Sequence, residues 1–510
     1  MNAHLMYRDR DFDVERKLPA HAETLTQDLE LNTLFNAMAG GDEFLFRVAK
    51  QTVLSELRDD AETILYRQGI VRDCLRNYGV VQSISDLAVE TIENRKRTWL
   101  GIITSHPSGV LYSAVELLQM YMEALARLRR IADEHSGQFE SDGFAAFFAS
   151  LKAELTDEYF ARVKNQLKEL KFGDGVLVSA SLGEGNEGTN YVLRKAATES
   201  SIWKQWIEAF THDPFTIRIS DRDEAGARAL SDLRDRGIHR VANAVGQSAD
   251  HVLNFFAMLR TELAFYLGCM NLHRRLAEKG EPVAFPVPAP ISTRKHSCEG
   301  LYDVCLTLSL EPRVVGNNLN ADGKNLAIIT GANRGGKSTF LRAIGLAQLM
   351  MQCGMFVGAE SFSANLCRGL FTHYKREEDA TMKSGKFDEE LVRMSEIVDA
   401  LEPDSLVLFN ESFAATNERE GSEIARQIVG ALADAGVKMF FVTHQFAFAH
   451  RAYNEGADGV IFLRAERDVD GHRSFRLTPG EPLPTSFGVD LYQEIFEGAD
   501  KNSGLAAARR

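Results

Sequence analysis

Cysteine is scarce and unpaired in this 510-residue sequence: Cys74, Cys269, Cys298, Cys305, Cys353 and Cys367 form no C-x-x-C pair. That spacing suggests neither a zinc site nor a disulfide framework, so the thiols are expected as small buried apolar groups. Proline is nearly missing from Asp28 to Lys171, where Pro107 stands alone. No uninterrupted apolar run approaches the roughly 18 residues of a membrane span, and Met1 to Glu15 is densely charged, unlike a secretory signal. A cytoplasmic protein with no membrane segment is therefore expected. Positive charge is not in excess: 58 Lys and Arg stand against 72 Asp and Glu, for a formal net charge of −14. That balance argues against a protein that coats nucleic acid indiscriminately. Basic clusters do occur at Arg95-Lys96-Arg97, at Arg127 with Arg129-Arg130, and at Arg274-Arg275. Such clusters serve either as phosphate contacts or as solvated helix faces.

What is present reads as two or three domains, since 510 residues exceed what one core usually supports. The proline-poor stretch repeats apolar residues every three or four positions, which predicts helices. One stripe is Leu111, Val115, Leu118, Met122, Leu125 and Leu128. Another runs from Phe144 to Leu170 and predicts a single helix of about 30 residues, about 45 Å long. After Gly173 the period changes to two at Val176, Val178 and Ala180 and again at Tyr191 and Leu193, around a turn at Gly183 to Gly188. A small β element is expected there, with Phe215 to Ile219 as a further strand. A helical stripe from Val252 to Met270 follows. Glu281 to Pro290 then carries four prolines in ten residues, and marks a boundary. The expected division is a helical domain over 1–290, with the β-containing insertion at about 173–225, and an α/β domain over 291–510. In the latter, Asn325–Thr330, Asp404–Phe409 and Val437–Val442 have the apolar character of buried parallel strands, and Val460–Leu463 and Ser474–Leu477 add two more.

Chemistry concentrates in that second half. Gly331, Ala332, Asn333, Arg334, Gly335, Gly336, Lys337 and Ser338 fit G-x-x-x-x-G-K-[ST], and Thr339 begins the helix that follows. A strand, a glycine-rich loop and a helix N-terminus in that order supply backbone N–H groups to phosphates. Lys337 reaches the outer phosphates and the Ser338 hydroxyl coordinates Mg²⁺. Leu406 to Ser412 has the form of a Walker B strand, and Glu411 stands where a carboxylate orients or deprotonates the attacking water. Asn410 occupies the preceding position, where an aspartate normally supports the metal; an amide oxygen still accepts hydrogen bonds from metal-bound water but brings no charge. His444, at the end of the Val437–Thr443 strand, is placed to sense the terminal phosphate.

Together these motifs resemble the ATPase domain of the MutS DNA mismatch-repair family, a branch of the ABC-class ATPases. The resemblance rests on Thr330 to Thr339, on Glu411 to Gly421 with Thr416 and Gly421 in register, on Thr443-His444, and on Ser486-Phe-Gly488. It is strong from about Tyr302 to Gly488 and weaker over Asp28 to Leu276, where it implies a helical core with lever arms and a reduced clamp after Gly173. It implies an α/β P-loop domain of ABC class, with Glu411, Lys337 and His444 catalytic and residues 331–339 binding ATP. Ser338 and Asn410 would serve Mg²⁺, and Ser384 of the segment Ser384 to Phe387 would contribute to a partner's site. It also implies a homodimer that binds duplex, mismatched or branched DNA. Two departures stand out. No N-terminal mismatch-reading domain with a Phe-x-Glu wedge is expected from this sequence, and Val314 is the nearest match to the aromatic residue that stacks on adenine. The competing expectation is a nucleotide-gated protein scaffold with weak hydrolysis and no direct role at DNA.

Overall fold

The computed structural model describes residues 1–55, 60–99, 106–173, 175–194, 218–220, 222–376, 385–456, 458–467 and 473–484. The described residues pack as two units: one from 1–3, 79–139 and 144–260, the other from 4–78, 140–143 and 261 onward.

Four helices open the chain in the second unit: α1 (Ala22–Asp28), α2 (Leu31–Ala39), α3 (Glu43–Ser55) and α4 (Ala61–Arg76). The first unit holds α5 (Tyr78–Trp99) and α6 (Pro107–His135). Pro107 sits in the first turn of α6, where a missing N–H costs nothing. Leu111, Val115, Leu118, Leu125 and Leu128 of the predicted stripe are buried.

The single helix expected from Phe144 to Leu170 is instead two, α7 (Asp142–Glu154) and α8 (Asp157–Glu169). Thr156 is extended, and its hydroxyl accepts the Tyr159 N–H at 3.2 Å. Asp157 and Glu158 fill the first turn behind that cap, which restarts the helix. The apolar period carries through the break, so periodicity alone missed it.

A hairpin follows, β1 (Leu177–Leu182) antiparallel to β2 (Gly188–Arg194), where the change of period predicted it. Of the further strand expected at Phe215 to Ile219, residues 215–217 lie outside the described residues, and Arg218 and Ile219 are not in a strand. Helix α9 (Glu224–Glu278) is 55 residues long, far beyond the stripe that signalled it. It contains a window of mean hydropathy 1.2 that is 72% buried inside the protein, as in a core helix. In the second unit Glu262 of this helix is fully buried. Its carboxylate accepts the N–H groups of Leu5 at 2.6 Å and Phe12 at 3.0 Å. Burial pushes that carboxyl up to about 7.

The remaining elements are β3 (Val287–Ala289), β4 (His296–Leu301), α10 (Val304–Ser309), β5 (Asn317–Asn320), β6 (Leu326–Gly331), α11 (Lys337–Gln352), β7 (Ser361–Asn365) and β8 (Leu370–Tyr374). They continue with α12 (Lys386–Ala400), β9 (Leu406–Asn410), α13 (Glu418–Asp434), β10 (Lys438–Val442), α14 (Phe446–Glu455), β11 (Val460–Arg467) and β12 (Arg473–Pro479). Two sheets result. The larger has the order β12-β11-β6-β10-β9-β8, parallel throughout except for β12. The smaller has the order β3-β7-β4-β5. The proline-rich passage is woven into this second unit: β3 pairs with β7, and Ala284 bridges Val357. Proline is tolerated there because β3 is an edge strand. The division expected near 290 thus falls within one packed unit. One face of the large sheet is an apolar core in which Ile328, Val407, Phe409 and Phe441 meet Ala425, Val429 and Phe448. On the parallel strands β6, β9 and β10, all carboxyl ends open on one edge, where α/β sheets gather ligands.

Candidate functional site

Strand β6 is buried at every position and lies between β10 and β11. Its loop turns through left-handed conformations at Gly331 (φ 106°), Arg334 (φ 57°) and Gly336 (φ 86°). A Cβ on Gly331 would come within 2.8 Å of the Ala465 nitrogen, and one on Gly335 within 2.8 Å of the Ala332 oxygen. Only glycine permits that approach. The loop therefore closes tightly around the first turn of the 16-residue helix α11, whose unpaired N–H groups create positive potential.

Lys337 is 5% exposed. Its Nζ donates to the carbonyls of Gly331 at 3.1 Å and Ala332 at 2.8 Å. Burial pushes this amine down to about 8, against the pull of Glu411 and with a push from Arg473. Ser338 Oγ donates to Asn410 Oδ1 at 2.9 Å. Arg334 is exposed, while Asn333 and Thr339 are half-buried.

Glu411 follows β9 directly. Its N–H donates to the Val442 carbonyl at 2.9 Å, and its Oε1 receives His444 Nε2 at 2.9 Å. That hydrogen bond holds the Glu411 carboxyl below its ordinary range; Lys375 and Lys337 pull the same way, against burial. The structure thus brings Lys337, Ser338, Asn410, Glu411 and His444 to one edge of the sheet.

Other expected residues stand apart or outside. Ser384 and the Ser486–Gly488 turn lie outside the described residues, and Phe387 sits in the first turn of α12. Val314 lies in the loop before β5. Thr416 donates its hydroxyl to Glu420 at 2.8 Å, ahead of α13. Three members of the basic clusters meet acids: Arg95 meets Asp250 at 3.2 Å, Arg127 meets Glu90 at 2.9 Å, and Arg129 meets Asp133 at 3.0 Å. The side chains of Lys96 and Arg97 are outside the description. In the first unit a cavity of about 590 Å³ is lined by His106, Tyr191, Asp235, Arg236, His239 and Arg240 among others; its mixed charge singles out no ligand.

Sequence reasoning missed the residues that hold the catalytic edge from behind. Glu390 Oε1 accepts the Phe413 N–H at 2.5 Å, Gln445 Nε2 donates to the Phe413 carbonyl at 2.8 Å, and the Ser412 hydroxyl lies 2.7 Å from His373 Nδ1. For Glu390 a signal existed, because it falls on the apolar stripe of α12 with Phe387, Leu391 and Met394, where a carboxylate needs a partner.

Comparison with known proteins places two successive family matches on the chain. A family model of the MutS2 N-terminal domain matches residues 59–279, and one of MutS domain V matches residues 327–490. The chain is 31% identical over 152 residues to MutS protein homolog 4 of Homo sapiens, covering 30% of this chain and 16% of that protein. It is 31% identical over 198 residues to endonuclease MutS2 of Thermus thermophilus, covering 38% and 26%. It is 34% identical over 183 residues to the DNA mismatch repair protein MutS of Porphyromonas gingivalis, covering 34% and 20%. The chain thus spans about a quarter or less of the length of these relatives. With these two family models matching successive parts of its sequence, the chain is a MutS-related protein.

Proposed function

We propose that this protein is a cytoplasmic ATPase of the ABC-class P-loop type that acts as a homodimer and couples ATP binding and hydrolysis to clamp-like binding of duplex, mismatched or branched DNA in repair or recombination. The observation that carries the ATPase reading is the convergence of a buried lysine, a helix N-terminus and a histidine-held glutamate on one sheet edge. The residues present fit a nucleoside triphosphate. Among the described residues the buried Lys337 amine is bonded to carbonyls of its own loop, and anionic phosphate would supply the opposite charge that carbonyls do not. They also fit Mg²⁺: the Ser338 hydroxyl and Asn410 amide oxygen offer neutral oxygens 2.9 Å apart, which suits an ion that keeps most of its water. When bound, Mg²⁺ neutralises charge on the outer phosphates.

In this reading the N–H groups of the loop and of α11 hold the phosphates, and Lys337 offsets charge at the terminal one. Glu411, ionised by its His444 bond, aims a water and accepts its proton. His444 fixes the carboxylate and senses what occupies the edge. Ser384 completes the site of the other subunit. DNA comes to the proposal from the relatives, among which MutS of Porphyromonas gingivalis is named a DNA mismatch repair protein.

A second reading, a nucleotide-gated scaffold with weak hydrolysis, is favoured by Asn410 and the net charge of −14. Steady-state hydrolysis of Mg-ATP tests the first: Lys337→Ala is expected to abolish nucleotide binding, and Glu411→Gln to bind ATP without turning it over. Normal turnover in either variant would sink the assignment of the site.

A further inference from the structure

Glu411 and Phe413 are non-glycine residues with left-handed backbone, at φ 56° and φ 61°. Such positions persist only where the surroundings over-determine them, since each costs about 1 kcal/mol or more. Here the surroundings are four side chains or contacts from four elements. The Phe413 N–H is held by Glu390 of α12, and its carbonyl by Gln445, the residue after His444. Ser412 is pinned to His373 of β8, whose Nε2 donates to the Glu390 carbonyl at 3.0 Å. Gly421 of α13 presses on the same turn, for a Cβ there would lie 2.3 Å from the Phe413 oxygen. Glu390, His373, Ser412 and Gln445 are all nearly or fully buried.

We propose that Glu390 is a positioning residue for hydrolysis: its carboxylate ties helix α12 to the turn that carries Glu411, so that the placement of α12 sets the aim of the catalytic carboxylate. This rests on the ATPase reading above. It goes further by assigning the link to one buried carboxylate that is bonded to the backbone of the turn. Two features make the link specific. The carboxylate serves the turn's backbone; bonds also reach it from Ala415, so it spans both sides of Phe413. In addition, α12 begins at Lys386, immediately after the segment in which Ser384 is expected to meet the partner's nucleotide. A shift of α12 would then be felt at the turn through the Glu390 carboxylate and through the Glu390 carbonyl that His373 holds.

The test compares wild type with Glu390→Ala, Glu390→Gln and Gln445→Ala in the full chain. It measures kcat and KM for Mg-ATP, binding of a fluorescent ATP analogue, and thermal melting. Glu390→Ala is expected to lower kcat tenfold or more, on the order of the penalty for sub-ångström to ångström misplacement. Analogue affinity and bound stoichiometry should stay within about twofold of wild type. Glu390→Gln keeps one acceptor oxygen and should restore most of kcat, while Gln445→Ala, which frees the carbonyl of the same residue, Phe413, should lower kcat in the manner of Glu390→Ala. If Glu390→Ala fails to fold, the Gln445→Ala and Glu390→Gln results decide by the same criterion. Unchanged kcat per bound nucleotide in Glu390→Ala, or in Gln445→Ala where that variant decides, overturns the inference alone. So does a Glu390→Gln enzyme as slow as the alanine variant. Absence of hydrolysis in wild type overturns the ATPase reading and the inference with it.

Discussion

Binding of ATP above neutral pH is expected to draw protons from solution, because Lys337 is an amine held near neutrality until phosphate arrives. Its folded value is about 8, so the uncharged fraction is about 0.1 at pH 7, about 0.5 at pH 8 and about 0.9 at pH 9. A bound triphosphate returns the amine toward its ordinary 10.5, and proton uptake then equals the uncharged fraction at each pH. The energy involved is ~3 kcal/mol, from the difference between 10.5 and about 8 at about 1.36 kcal/mol per pH unit. Its sign also appears in the unliganded protein. Between about pH 8 and 10.5 the unfolded chain binds the extra proton, so stability rises with pH across that window, and below it the full cost of burying the charge is present. Calorimetric titration with ATP in buffers of different ionisation enthalpy reads the uptake directly. An uptake at pH 9 no larger than at pH 7 would refute the assignment of Lys337 as a phosphate-facing amine.

Three further outcomes follow from the geometry. Asn410→Asp places a carboxylate 2.9 Å from the Ser338 hydroxyl position and should tighten Mg²⁺ about tenfold or more in the presence of nucleotide, measured by Mg²⁺ titration of analogue fluorescence; unchanged or weaker Mg²⁺ binding would contradict the proposed role of this position. Gly421→Ala forces the Phe413 carbonyl away from its 2.3 Å overlap; about 1–3 kcal/mol of stability and most of kcat should go, while ATP affinity stays. Arg342→Leu leaves Asp303 fully buried without the guanidinium that meets it at 2.5 Å and should cost about 3–5 kcal/mol, visible in urea unfolding as a lower midpoint with an unchanged slope.

The phosphate loop with the strand before it and the helix after it, and Glu411 and His444 one by one, were legible because their chemistry demands fixed residue types at the ends of apolar strands; the bond between Glu411 and His444 was not. The hairpin after Gly173 was legible from its change of period. Thr156 shows what periodicity conceals: a two-residue interruption that keeps the apolar face in phase leaves the stripe intact, and only the cap followed by two acids reveals it. Strands β3, β4, β5 and β7 were illegible for a different reason. They are short, β3 includes a proline, and they are stabilised by pairing partners outside the local sequence. The Glu390–Phe413 bond joins residues 23 apart through a backbone group, and no residue pattern encodes a backbone donor. The carboxylate on an apolar helix face was the only trace it left.

The central claim, an ATPase whose turnover answers to DNA, is tested most directly by steady-state hydrolysis of Mg-ATP by the purified protein, alone and with plain, mismatched or branched duplex DNA, with Glu411→Gln as the blank. A rate that changes with DNA, and ranks those substrates, is the predicted result. A rate indifferent to every DNA, in protein that still binds ATP, would contradict the claim and leave the nucleotide-gated scaffold in its place.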